Sequence, residues 1–204
     1  MKVLLINGSP KAERCTFTAL SEVAKTLEAE GIETEIVHIG NQAIRGCIDC
    51  RACKKNGKCV FNDIVNEVAP KFTECDGLVV GTPVYYASAN GNLISFLDRL
   101  FFSTPFDKSM KVGAAVVSAR RGGCSATFDE LNKYFTIVGM RLPPASTGTA
   151  YTALRRRMCA KTKKACKPCV RCKNMAFLIK SIALGKEKYG LPEREPQILT
   201  NFID

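Results

Sequence analysis

Apolar positions along the chain fall into two alternating kinds of block. Lys2 to Ile6 ends in four consecutive aliphatics closed by the turn signal Asn7-Gly8-Ser9-Pro10, which predicts a buried strand. From Thr16 to Glu30, Ala19, Leu20, Val23, Ala24 and Leu27 recur at helical spacing until Gly31 ends the run. Thr34 to Ile39 reads as a second strand. Asn62 or Asp63 is placed to cap a helix carrying Ile64, Val65, Val68 and Phe72, with Pro70 expected to bend it or end it early. Gly77 to Val80 is a third strand, followed by a loop from Gly81 to Asn90, a helix from Asn92 to Phe102 and a strand from Val112 to Val117. Ser125 to Val138 gives another helix, and Gly139-Met140 leads into a weak last strand before Gly148. Asn174 to Leu184 is the final helix, ahead of an irregular tail, Gly190 to Asp204. Short aliphatic strands alternating with helices predict an α/β fold, a parallel sheet covered on both faces. With no repeat and no dividing linker, a single domain over residues 1–204 is expected.

Composition changes this picture in three places. No apolar run reaches the roughly 18 residues that span a bilayer, and the short run Val3 to Ile6 is no signal peptide. A cytoplasmic protein without membrane contact is therefore the expectation. Eleven cysteines are many for 204 residues, and without an export signal they read as metal or cluster ligands rather than bridges. The net charge of +11 is local. Arg155 to Lys173 holds nine Lys or Arg and no acid, and the remainder has 21 basic against 19 acidic residues. The body is nearly neutral, so nucleic acid is not the expected partner.

In a doubly wound sheet, ligands sit beyond the carboxyl ends of the strands. The first such turn, Asn7 to Thr16, offers the hydroxyls of Ser9 and Thr16, exposed backbone N–H groups and the positive end of a helix, the parts that hold a phosphate. It is neither a dinucleotide fingerprint nor a Walker loop. Gly81 to Asn92 mixes Pro83, Tyr85, Tyr86 and small residues, which suits a planar ring. Ser118 to Gly123 adds glycines that let the backbone approach closely, with Arg120 and Arg121 to meet the ring or an anionic second substrate. Read singly, Tyr85 and Tyr86 are core aromatics and Gly122-Gly123 a plain turn; three such loops after strands of one sheet point to a common ligand.

On Gly8-Ser9-Pro10, Cys15-Thr16, Gly46-Cys47 and Gly81-Thr82-Pro83-Val84-Tyr85-Tyr86, the sequence resembles the NADPH-dependent FMN reductase and iron–sulfur flavoprotein group of the flavodoxin superfamily. The resemblance runs from Met1 to about Leu154 and resumes at Asn174. It implies a flavodoxin-like, doubly wound five-stranded sheet of order 2-1-3-4-5, bound FMN, and a homodimer or homotetramer. It also implies that Ser9, Lys11, Cys15 and Thr16 hold the phosphate, with Pro83, Val84, Tyr85, Tyr86, Arg120, Gly122 and Gly123 along the isoalloxazine. Arg14, where family members often carry a small residue, is a departure.

Cys47, Cys50, Cys53 and Cys59 have the spacing C-x2-C-x2-C-x5-C. Closely spaced thiolates wrapped round one body are the usual ligation of a [4Fe–4S] cluster. Zinc more often uses two separated pairs and is the second choice of metal; the main alternative to a cluster, ahead of zinc, is an unmetallated loop of redox-active thiols. The motif lacks the proline that follows the last cysteine in bacterial ferredoxins, and it is similar to the compact motif of the iron–sulfur flavoproteins. With FMN and a cluster together, the expected activity is an oxidoreductase linked to NAD(P)H or to a carrier such as ferredoxin. The alternative is a non-enzymatic flavodoxin-type carrier. No catalytic residue is assigned: His38, the single histidine, reads as half-exposed, and Asp98 and Asp129 as solvated or capping charges.

Arg155 to Cys172 looks foreign to its neighbours. Taken literally, Cys166, Cys169 and Cys172 repeat C-x2-C-x2-C, with Cys159 nearby. One permitted set of codons for Lys161 to Cys172, shifted by one base, spells Lys-Asp-Glu-Glu-Gly-Leu-Gln-Thr-Met-Arg-Ala-Leu, similar to the acidic stretch this family carries before its last helix. The segment is therefore read as out of frame, between two compensating frameshifts, and its cysteines receive no function. The gene's nucleotide sequence tests that reading.

Overall fold

A computed structural model describes residues 1–144, 150–152 and 170–193. The elements in chain order are β1 (Lys2–Asn7), α1 (Cys15–Ala29), β2 (Glu33–His38), α2 (Ala52–Asn56), α3 (Ile64–Glu74), β3 (Gly77–Pro83), α4 (Gly91–Ser103), β4 (Val112–Ala119), α5 (Cys124–Ile137), β5 (Ala150–Thr152) and α6 (Val170–Tyr189). Every strand pairing among the described residues is parallel. β1 lies between β2 and β3, so that Asn7 is level with His38 on one side and Gly81 on the other.

The two-residue period of the strands is visible in what each face buries. Leu4, Ile6, Leu78, Val80, Ala115 and Val117 pack against α3, α4 and α5 through Val65, Phe72, Phe96, Leu100, Leu131 and Phe135. Val3, Leu5, Val79, Ala114 and Val116 face α1 and α6 through Leu20, Val23, Leu27, Met175 and Ile179. Both faces are apolar, which is why the strands read as unbroken aliphatic runs. This is the α/β, flavodoxin-like architecture expected from the sequence.

Three expectations need correction. Four strands of six to eight residues, in the order 2-1-3-4, make the body of the sheet, and in place of a full fifth strand only Ala150–Thr152 pair with Val117–Ala119. The described pairing follows Gly148; of the described residues before it, Arg141 makes an isolated bridge with Val112. Pro70 does not cut α3 short, since the helix runs on to Glu74. α2 was not foreseen: it is five residues long and bounded by left-handed residues at Arg51 and Gly57, too short to show a helical period. The segment 155–169 and the apolar end of the tail, Ile198, Leu199, Phe202 and Ile203, lie outside the described residues. Of the foreign-looking cysteines, Cys172 is described, buried on the core-facing side of α6 near its start.

Candidate functional site

The turn after β1 is fixed from within. Asn7 Oδ1 accepts from the Ser9 N–H at 3.1 Å, its Nδ2 donates to the Ala12 carbonyl at 3.0 Å, and the Ser9 hydroxyl accepts from the Lys11 N–H at 3.2 Å. His38 Nε2 meets the Ser9 carbonyl at 2.7 Å, a positioning contact that its place at the end of β2 foretold only as half-exposure. Gly40 packs so tightly here that a Cβ would come within 1.9 Å of the Ser9 carbonyl oxygen. Lys11 stands exposed, Cys15 is half-buried, and Ser9 and Thr16 are buried. Arg14, the departure noted above, is the N-cap of α1 and supplies no side-chain cap. The N–H groups of the first turn of α1 are therefore left uncapped by the Arg14 side chain and, with the helix dipole, suit a phosphate.

The other two loops join the turn through buried polar contacts. Gly8 N–H donates to the Gly81 carbonyl at 2.8 Å, Asn90 Nδ2 donates to the Gly8 carbonyl at 3.0 Å, and the Asn90 N–H donates to Thr82 Oγ1 at 3.0 Å. The hydroxyls of Thr16 and Ser118 lie 3.0 Å apart, tying α1 to the end of β4. Gly123, in the left-handed region at φ +90°, packs where a Cβ would come within 2.8 Å of Ala87 Cα and 2.9 Å of Val84 Cγ1. The loop carrying Arg120, Arg121 and Gly122, all exposed, thus rests against the loop carrying half-buried Pro83 and Val84.

Tyr85 and Ser88 exchange both backbone hydrogen bonds round a two-residue turn. Its centre, Tyr86 and Ala87, is left-handed at φ 50° and 62°, the geometry of a type I′ hairpin that Asn and Gly normally fill. An aromatic residue there is strained, and such strain gathers at ligand clamps. Tyr85 and Tyr86 are not core aromatics: Tyr86 is fully exposed, a ring held out with nothing on either face. The hairpin is braced by Glu130, which the sequence did not single out; its carboxylate accepts from the Ser88 hydroxyl at 2.8 Å and the Ala89 N–H at 2.8 Å. Asp98 is exposed on α4, as its sequence position suggested, and accepts from the Tyr134 hydroxyl. Burial, and then that contact, push the phenol well above its ordinary range.

The four cysteines line one shallow recess open to solvent, together with Phe61, Arg99, Phe102 and Ser103. Asp49 and Arg51 flank Cys50 at φ 49° and 56°, and these two left-handed turns wrap the loop on itself. Cys53 is buried, Cys59 half-buried, and Cys47 and Cys50 exposed. Burial pushes the Cys53 thiol up, and the nearby Cys59, Cys50 and Cys47 add to the shift. Asn66 brackets Cys59, accepting from its N–H at 2.9 Å and donating to its carbonyl at 2.9 Å. Arg99 and Ser103 are further residues the sequence reading missed. Their signal was present: both continue the buried stripe of α4 at three and seven residues beyond Phe96.

Among the described residues no three Cys, His, Asp or Glu side chains gather round one point to hold a single ion, as tetrahedral zinc requires. A cubane asks less of them, because its irons occupy separate corners and each takes its own thiolate. The donor set and its shared recess fit such a cluster. The recess is not beside the flavin loops. It lies against the C-terminal half of α4, about 14 Å along the helix from Asn90 to Arg99 at 1.5 Å per residue.

A phosphate-type turn, a ring-flanking hairpin and a glycine loop at the carboxyl edge of a doubly wound sheet define a flavodoxin-like flavoprotein. The chain belongs to the NADPH-dependent FMN reductase family, whose model matches residues 1–152. It is 35% identical over 157 residues to an iron–sulfur flavoprotein of Methanocaldococcus jannaschii, spanning 74% of this chain and 80% of that one. Among solved structures it resembles RosB with bound 8-demethyl-8-formylriboflavin-5'-phosphate, at TM-score 0.66 and 16% identity over 99% of this chain and 92% of the other. It also resembles an archaeal flavodoxin, at TM-score 0.57 and 13% identity over 90% and 99%. At these identities the two structures speak for the fold. No helix among the described residues is long and apolar enough to cross a membrane.

Proposed function

We propose that the protein is an FMN-dependent oxidoreductase that relays electrons between FMN and a [4Fe–4S] cluster on Cys47, Cys50, Cys53 and Cys59. NAD(P)H would be the two-electron partner and a ferredoxin-like protein the one-electron partner. The observation that carries this reading is the convergence of four cysteines on one recess in a chain of the FMN reductase family. FMN accepts a hydride and releases electrons singly, whereas a cluster passes one electron at a time.

The chain's own residues would bind and orient. Ser9, Lys11, Cys15, Thr16 and the first turn of α1 hold the phosphate, with Asn7 and His38 keeping the turn in shape. Tyr86 on its strained hairpin, with Pro83, Val84 and Tyr85 beside it, would meet the isoalloxazine, and Gly122 and Gly123 would let the third loop come close. Arg120 and Arg121, exposed at that edge, are available to an anionic second substrate such as a nicotinamide dinucleotide. A homodimer or homotetramer in the cytoplasm completes the reading, and sedimentation of the purified protein tests its assembly.

An anaerobic absorption spectrum with iron and sulfide analysis tests the cofactors together. We expect flavin bands plus a broad cluster absorption, and loss of the cluster with flavin retained in Cys50→Ser. Protein prepared anaerobically without iron or sulfide overturns the cluster. NAD(P)H oxidation by the FMN-loaded protein separates the enzyme from a simple carrier, which only a redox partner would reduce.

A further inference from the structure

Arg99 is 1% exposed, and its guanidinium cannot give up its proton in a protein. Nη1 and Nη2 donate to the two Asp63 carboxylate oxygens at 2.6 and 2.8 Å, and further to the carbonyls of Arg45 at 3.2 Å and Phe61 at 3.5 Å. The Phe61 ring lies under the charge at 5.0 Å. Asp63 already balances that charge, yet the remaining donor, Nε–H, is directed at Cys59 Sγ at 3.2 Å. One helical turn further, Ser103 is 3% exposed and lines the same recess, and its hydroxyl has no hydrogen-bond partner among the described residues. A core position needs neither group. A buried hydroxyl left unpaired is destabilising, and such groups point to a missing partner.

We infer that Arg99 and Ser103 are positioning residues that present two hydrogen-bond donors from one face of α4 to the sulfurs of the cysteine-bound cluster and raise the potential at which it takes up an electron. The inference rests on the cluster reading above. The sign follows from charge. In a one-electron reduction by dithionite no bond breaks and no proton moves, so the added negative charge spreads onto the sulfurs. A donor aimed at sulfur favours the reduced form more than the oxidised one. Because the guanidinium is pinned by Asp63 and Phe61, Arg99 reaches Cys59 without reorganising when the electron arrives.

The test is an anaerobic redox titration of the full chain, reconstituted with iron and sulfide and followed by electron paramagnetic resonance. Arg99→Lys keeps the charge but loses the fixed Nε–H donor, and Ser103→Ala deletes only the hydroxyl. Both variants should load iron and sulfide like the parent and show a lower midpoint potential. For Arg99→Lys we expect at least a tenfold change in the reduced-to-oxidised ratio, about 59 mV for one electron. Ser103→Ala decides the matter if Arg99→Lys fails to fold or to load. A parental potential in loaded Ser103→Ala overturns the inference. A parent chain that takes up no iron overturns the cluster reading instead, so the two failures are distinct.

Discussion

At the scale of single residues, the turn proposed to hold the FMN phosphate is shaped by a glycine outside it. Gly40 leaves no space for a side chain against the Ser9 carbonyl, so Gly40→Ala must displace the turn that His38 and Asn7 hold. We expect FMN affinity to fall about tenfold or more, equal to roughly 1.4 kcal/mol, in a flavin-fluorescence titration. A second residue contributes to the acid sensitivity of the fold. Glu35 lies below its ordinary value of 4.5 because Lys71, and then Lys2, hydrogen-bonds its carboxylate. A carboxylate with a depressed folded pKa contributes stability that is complete above the ordinary value and is lost as pH falls through the folded one. Urea midpoints measured downward from pH 5 should therefore fall more steeply in the parent than in Glu35→Gln.

Among the elements, α3 and α4 are joined by one residue with two duties. Asp63 caps α3 by accepting from the Val65 N–H and is the counter-ion of Arg99. Asp63→Ala should cost about 3 to 5 kcal/mol in urea unfolding, the usual loss when a buried charge is left without its partner. Asp63→Asn, which keeps an acceptor for the cap, should lose less. The same pair marks how far the sequence could be read. Strands such as Lys2 to Asn7 and helices such as α1 announce themselves by aliphatic runs and periodic spacing, and their ends fell within a few residues. The cysteine spacing and the three loops were legible because each requires particular residue types. α2 was not, because five residues carry no period. Arg99 and Ser103 escaped notice because polar residues in a buried stripe make sense only once their neighbours are known. The distance of the cysteine recess from the flavin loops was also hidden, since it depends on where Arg45 to Cys59 lies along α4.

For the molecule as a whole, three loops from distant parts of the chain meet at one sheet edge, so FMN bound there as proposed should stabilise the entire fold. FMN at a hundred times its Kd should add about 2.7 kcal/mol. For a chain of this size that is a rise in Tm of roughly 5 to 11 °C by differential scanning calorimetry. The place of β1 in the sheet has a consequence for the order in which the protein is made. Its aliphatics, wholly enclosed in the finished sheet, need β3 on one flank. On the ribosome the interval between the synthesis of Asn7 and of Gly77 is roughly 4 to 14 s at 5–20 residues per second. The whole cysteine loop is synthesised in that interval, before the α4 face that encloses it exists. A nascent chain therefore exposes sticky strand and reactive thiols together, and an encounter with oxidant or another unfinished chain at that stage is the hazard this topology builds in.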